Sequence, residues 1–138
     1  MQFSLEKEVE FYAIHSWTEG GAWLTAPLKT TAESGSLPPM EPFLQEGSFL
    51  LMSDSLHDWD CRAVEQIRLD DVKTWVSLRP EIVILGTGNK HVWPEMDILG
   101  PLYTQGIGVE IMRSDAACRT YNLLMSDRRR VLAAILVD

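Results

Sequence analysis

The sequence predicts an α/β fold: a three-layer sandwich with a central mixed β-sheet, helices on both faces and a β-rich N-terminal hairpin region. Three observations point there. Ile82-Val83-Ile84-Leu85 is apolar at every position, as a strand covered on both faces must be. Val131 to Val137 is a second run of the same kind. Segments with helical spacing alternate with strands through the second half, and parallel strands joined through a helix cross over right-handedly.

The first half reads as β. Phe11 to Trp17 is rich in β-formers and ends at Glu19-Gly20-Gly21, a hairpin turn signal, with Ala22 to Thr25 as the returning strand. Residues 29–47 read as a surface loop, because Pro38, Pro39 and Pro42 remove donors and restrict their neighbours. Ser48 to Met52 is a short strand, and a further strand crosses Leu56 to Cys61.

The second half alternates. Asp70 is the expected cap of a helix with Leu69, Val72, Trp75 and Val76 inward. Arg79 precedes Pro80, which stops that helix. Pro94 suits the first turn of another helix, whose inner stripe is Met96, Leu99, Leu102 and Tyr103, with a break or kink at Gly100-Pro101. Strand 107–112 follows. Ser114 then caps a helix with Ala117, Cys118, Tyr121, Leu124 and Met125 inward. Asp127-Arg128-Arg129-Arg130 is the exit into the last strand.

With 138 residues, the expectation is a single domain, 1–138, that buries roughly two-thirds of its unfolded surface. Its composition, 46% hydrophobic and 23% charged, is that of an ordinary globular protein. The longest purely apolar run is Val131 to Val137, against about 20 residues for a membrane span. Neither a span nor a signal peptide is read, so the expected location is cytoplasmic. Cys61 and Cys118 form no CxxC pair, and Cys118 falls on the inner face of a helix as a small hydrophobe.

The net charge of −8 lies in residues 1–60, where ten acids face Lys7 and Lys29; residues 61–138 hold ten acids and ten bases. An acidic half repels phosphate backbones, so nucleic acid is not expected as a partner. It keeps a small protein in solution, and it can also meet a basic protein surface.

Chemistry-bearing residues are sparse. Gly86-Thr87-Gly88-Asn89-Lys90-His91 follows a central strand, where open α/β sheets bind ligands. It is neither GxGxxG nor a P-loop. Two readings stand: a tight turn that needs glycine freedom, or a ligand loop. Arg119 and Asn122, three apart on the last helix, are the further ligand-binding candidates beside Gly86, Thr87, Gly88 and Asn89. His15, His57 and His91 lack metal-ligand spacing, so no metal is expected. Ser53, Asp54, Ser55, His57 and Asp58 lie too close along the chain to converge as a triad, and there is no GxSxG elbow. No catalytic residue and no cofactor are assigned. Of the five tryptophans, only Trp75 sits on a core stripe; indoles elsewhere suit protein contacts as readily as cores.

Three stretches carry a resemblance: Pro80-Glu81-Ile82-Val83-Ile84-Leu85-Gly86-Thr87-Gly88, Gly106-Ile107-Gly108-Val109-Glu110-Ile111-Met112 and Ala116-Ala117-Cys118-Arg119-Thr120-Tyr121-Asn122-Leu123-Leu124. Arg129 through Ala134 match in character. The chain resembles the small α/β domain family that includes the mitochondrial assembly factor 3 of respiratory complex I and bacterial and archaeal homologues. The resemblance implies a three-layer fold with an added β-rich hairpin region and offers no catalytic residues to carry over. Arg113 departs from it, since family members often carry an acid there.

The functional expectation is a non-enzymatic protein-binding domain, an assembly or stability factor for a complex I-like membrane complex. Its partners would be respiratory-complex subunits or assembly proteins. The alternative is a small-molecule binding protein, for an anion or metabolite, or an enzyme, using a pocket near Gly86-Thr87-Gly88.

Overall fold

The computed structural model describes residues 11–27 and 41–138. The Glu6, Glu8 and Glu10 cluster and the Pro38-Pro39 segment lie outside the described residues.

β1 (Ala13–Thr18) and β2 (Gly21–Thr25) form the expected hairpin, turning through Gly20 at φ +86°. The segment Phe43–Glu46 is β3 and pairs antiparallel with β2, so this part of the region read as loop is a strand. Pro42 halts nothing, because it precedes an edge strand and its missing N–H leaves no ladder bond unmade. These strands make one sheet, in the order β1-β2-β3.

The second sheet is mixed. β4 (Phe49–Met52), β5 (Ser55–Asp58), β6 (Ile82–Gly86), β7 (Gly108–Met112) and β8 (Val131–Ile135) take the order β5-β4-β8-β6-β7. β6 runs parallel to both β7 and β8, and β4 is antiparallel to β8 and β5. β6 and β8 are therefore interior, and every residue of both is buried.

α1 (Leu69–Ser77), α2 (Met96–Thr104) and α3 (Ser114–Ser126) cover the sheet. The chain steps from β6 to β7 through α2, then back past β6 to β8 through α3. The two steps run in opposite directions, so one crossover hand places the two helices on opposite faces. Val83, Leu85, Leu132 and Ala134 pack with Val72 and Trp75 of α1 and Leu99 and Leu102 of α2. Ile82, Ile84, Val131 and Ala133 pack with Ala117, Cys118, Tyr121 and Met125 of α3 and with Ile14 and Leu24 of the hairpin.

Four local expectations are corrected. α1 begins two residues earlier than read, with Arg68 rather than Asp70 at the cap position: the Arg68 N–H donates to Asp71 Oδ2 (2.9 Å), so Asp71 rather than Asp70 serves the helix start. Leu69, Met96 and Tyr103 are exposed, leaving Val72 and Trp75, and Leu99 and Leu102, as the inward residues. Gly100-Pro101 does not break α2, which runs through to Thr104. An interior proline costs about 3 kcal/mol, and each fully buried leucine contributes about 1.5–3 kcal/mol; Leu99 and Leu102 together outweigh the defect. Ser114 is the first residue of α3 rather than its cap, a position held by Arg113.

The basic exit has a structural task. Leu78 caps the end of α1, and Arg79 follows with φ +54°, outside the right-handed helical region. The Arg130 guanidinium donates to the carbonyls of Leu78 (2.8 Å) and Arg79 (3.2 Å), satisfying acceptors that the helix end leaves free.

Both cysteines are free and buried. Burial, reinforced by the Asp115 carboxylate, pushes the Cys118 thiol up to about 12 from 9.0. Burial likewise raises the Tyr121 phenol, with Asp54 adding to it. The folded state thus keeps a proton that the unfolded chain releases from about pH 9. The stabilisation is complete below that pH and is lost as pH rises toward about 12. Thermal melts taken from pH 8 upward should show a falling midpoint on the alkaline side, and Cys118→Ala should flatten part of that slope.

Candidate functional site

The loop after β6 sits at the carboxyl end of the parallel strands. Gly86 lies against α3: a Cβ there would stand 2.8 Å from Ser114 Oγ and 2.9 Å from Ser114 Cα. Its missing side chain lets the helix approach the strand. Thr87 is buried. Its N–H donates to Met112 O (2.9 Å), and its Oγ1 donates to Lys90 O (2.5 Å) and accepts from the Val92 N–H (3.2 Å). Gly88 has φ +95°, a left-handed conformation that favours glycine, and a Cβ there would press on the Asp138 carboxylate, the movable end of an exposed side chain.

Ser114 organises this end of the sheet. Its N–H donates to Gly88 O (3.0 Å), its Oγ accepts from the Gly88 N–H (2.8 Å), and its hydroxyl donates to Leu136 O (2.5 Å). One fully buried hydroxyl thereby joins the β6 loop, the start of α3 and the end of β8. The Asn89 N–H donates to Asp138 Oδ2 (3.1 Å). The two loop amides that an anion would use thus hold Ser114 and Asp138.

The other two candidates lie further along α3. Arg119 is 71% exposed and stands 3.7 Å from Asp115, which also pairs with Arg113 at 3.1 Å. Asn122 faces the hairpin. Its Oδ1 accepts from the Ile14 N–H (2.9 Å) and its Nδ2 donates to Ile14 O (2.5 Å), beside the register shift between Ile14 and Ser16. The structure therefore gathers Gly86, Thr87, Gly88 and Asn89, while Arg119 turns to its own helix and Asn122 to β1.

A feature that the sequence reading missed adjoins the loop. An open cleft of about 510 Å³ lies on the far side of Asp138, lined by Glu46, Asp58, Trp59, Asp60 and Arg62 among others. Its walls come from the ends of β3, β5 and β8, segments far apart in the chain, and no spacing signal links them. Among the described residues, no group of His, Cys, Asp or Glu has the arrangement of a metal site. No helix among them is long and apolar enough to cross a membrane.

Thr87 and Asn89 should respond differently to truncation. Thr87→Ala removes the hydroxyl that bonds the Lys90 carbonyl and the half-buried Val92 amide and should cost about 1–2 kcal/mol. Asn89→Ala keeps the backbone bond to Asp138 and should stay within about 0.5 kcal/mol, as surface changes do. Equilibrium urea unfolding of both variants checks this, and equal effects would contradict the geometry.

A mixed five-stranded sheet with helices on both faces, and a three-stranded sheet joining α3 on one of them, defines a small α/β domain. The chain belongs to the protein family of unknown function DUF498/DUF598, whose model matches residues 43–136. It is similar to the 13 kDa major membrane protein of Francisella tularensis, 35% identical over 56% of this chain and 60% of that protein. It is similar to NADH dehydrogenase [ubiquinone] 1 alpha subcomplex assembly factor 3 of Xenopus tropicalis, 28% identical over 65% of this chain and 50% of that one. The chain thus spans 60% and 50% of these two relatives' lengths. Among solved structures, a Xanthomonas campestris protein determined by NMR matches with TM-score 0.71 and 31% identity, covering 91% of this chain and 84% of that one.

Proposed function

We propose that the chain is a non-enzymatic protein-binding domain that helps to assemble or stabilise a respiratory, complex I-like membrane complex. The observation that carries this reading is the similarity to assembly factor 3, which extends over 65% of the chain. Charge supports it: the acidic first half complements a basic partner and speeds encounter.

The test is deletion of the gene in its host, with measurement of assembled NADH:quinone oxidoreductase in membranes. Assembled complex should fall, and a pull-down with the wild-type chain should enrich its subunits or assembly proteins. Glu6→Lys, Glu8→Lys and Glu10→Lys together should slow association more than they change folding. Normal complex levels with no enriched partner would defeat the reading.

A second reading, a small-molecule binder or an enzyme at the Gly86 to Asn89 loop, draws support from one observation. The loop contacts Asp138, which lines the 510 Å³ cleft. A metabolite that raises the melting temperature, with the shift lost in Asn89→Ala, would favour it.

A further inference from the structure

β7 ends one side of the central sheet, and among the described residues no strand pairs with its outer edge. The bonds at its two ends fix which residues face outward. The Gly108 N–H donates to Glu81 O (3.1 Å), and Met112 O accepts from the Thr87 N–H (2.9 Å). With Gly108 opposite Ile82 and Met112 opposite Gly86, the parallel ladder spends both backbone groups of Gly108, Glu110 and Met112 on β6. Val109 and Ile111 therefore direct an N–H and a C=O each away from the sheet. These two residues stand about 6.6 Å apart along the strand. Another extended backbone carries donors and acceptors at the same repeat.

The other edges are treated differently. Beside β1, Asn122 takes both backbone groups of Ile14, while Tyr12 donates to Ser53 O and accepts from the Tyr121 hydroxyl. On β3, the Gln45 amide donates to Glu46 O and to Asp58 at the end of β5. β5 carries exposed His57 and Asp58 between exposed Asp54 and Asp60, charge of the kind that keeps an edge from pairing. The edge at β7 is apolar by comparison. Val109 and Ile111 are half-buried on its α2 side and Met112 on its α3 side. Glu110, exposed, is the one charged side chain in residues 98–112.

A second copy of the chain fits this edge poorly. Two-fold pairing of β7 with itself uses all four outward groups only when Val109 faces Ile111, and that register sets Glu110 directly against Glu110 of the other copy. Sliding the pair by two residues brings in Ile107, whose N–H is held by Leu102 O (3.0 Å), or Arg113, whose C=O is held by the Ala117 N–H (2.9 Å). A strand with a basic residue opposite Glu110 keeps all four bonds and turns repulsion into attraction.

We propose that the free edge of β7 takes up an extended segment of a partner protein as an added strand, with a Lys or Arg of that segment opposite Glu110 and apolar residues beside Val109 and Ile111. This rests on the protein-binding reading above and adds where the partner sits and what chemistry it carries.

The experiment has two arms. Amide hydrogen exchange on the free protein, followed by NMR, should find Val109 and Ile111 exchanging at least about tenfold faster than Glu110 and Met112. Equal protection at all four would show the edge already covered and overturn the proposal. The second arm places benzoylphenylalanine at position 108 for photocrosslinking in the native host; a Cβ at Gly108 meets no atom closer than 3.5 Å. The control carries it in place of His57, exposed on β5 at the opposite edge of the sheet. The segment captured at position 108 should alternate apolar and polar residues and contain Lys or Arg. As a synthetic peptide it should slow exchange at Val109 and Ile111 by about tenfold or more and leave Glu110 and Met112 unchanged. Glu110→Lys, an exposed change that keeps the cooperative melt, should weaken that peptide by about tenfold. No capture at position 108, equal capture at both positions, capture of a second copy, an acidic captured segment, or full-strength binding to Glu110→Lys would each overturn the proposal. The two readings fail separately. A basic strand bound at β7 in a host whose complex levels survive gene deletion keeps the edge and removes the assembly role. Reduced complex after deletion, with no Glu110-sensitive capture, removes the edge and keeps the role.

Discussion

Ile84→Asp should yield no cooperatively folded protein. Ile84 is fully buried in the middle of β6, with Glu110 of β7 and Ala133 of β8 as its register neighbours. Its side chain packs in the layer formed by Tyr121, Ala117 and the hairpin. A carboxylate there has no cation to pair with in that layer and must ionise at a cost, or remain protonated and still lack partners. Either cost rivals the whole stability of a domain, about 5–15 kcal/mol. Ile84→Val, which removes one methylene, should cost about 0.5–1.5 kcal/mol and melt cooperatively. Circular dichroism melts of the pair decide the matter. A cooperative transition in Ile84→Asp would mean that β6 is not interior.

Ser114→Ala should be the most damaging conservative change at the carboxyl end of the sheet. Removing one oxygen leaves the Gly88 N–H and the Leu136 carbonyl without their partner, in a site that water does not reach. Two orphaned buried groups together should cost about 2–4 kcal/mol. In urea unfolding, the midpoint should fall with the slope unchanged, since the surface exposed on unfolding is the same. A loss under about 0.5 kcal/mol would show that Ser114 is not the hub joining α3, β6 and β8.

The two interior strands, the hairpin and the inward face of α3 were legible because each rests on a local pattern: an unbroken apolar run, a Gly-Gly turn, or helical spacing. Failures came where a local rule met a tertiary force. Proline and glycine predicted a broken α2, and the buried leucines on either side held it together. Three prolines predicted a loop through residue 47, yet Phe43–Glu46 found a partner strand in β2. Apolar residues at helical spacing were all assigned inward, although Leu69, Met96 and Tyr103 face solvent. Periodicity counts which residues share a face; it does not say how wide a stripe the neighbouring elements cover.

The glycine loop shows the same division. Its position after a central strand follows from the sequence alone, because an apolar strand followed by glycines has few other places in an α/β sheet. What surrounds it does not follow. That Ser114 and Asp138 take the loop amides, that Asn122 reaches across to Ile14, and that Glu46, Asp58 and Asp60 meet in a cleft are facts of chain reversal. The sequence alone determined the α/β class, the buried strands and the family, because these depend on residue type and short-range order. Only the tertiary structure decided which polar groups meet and which apolar groups stay exposed, because those depend on packing between segments up to 109 residues apart.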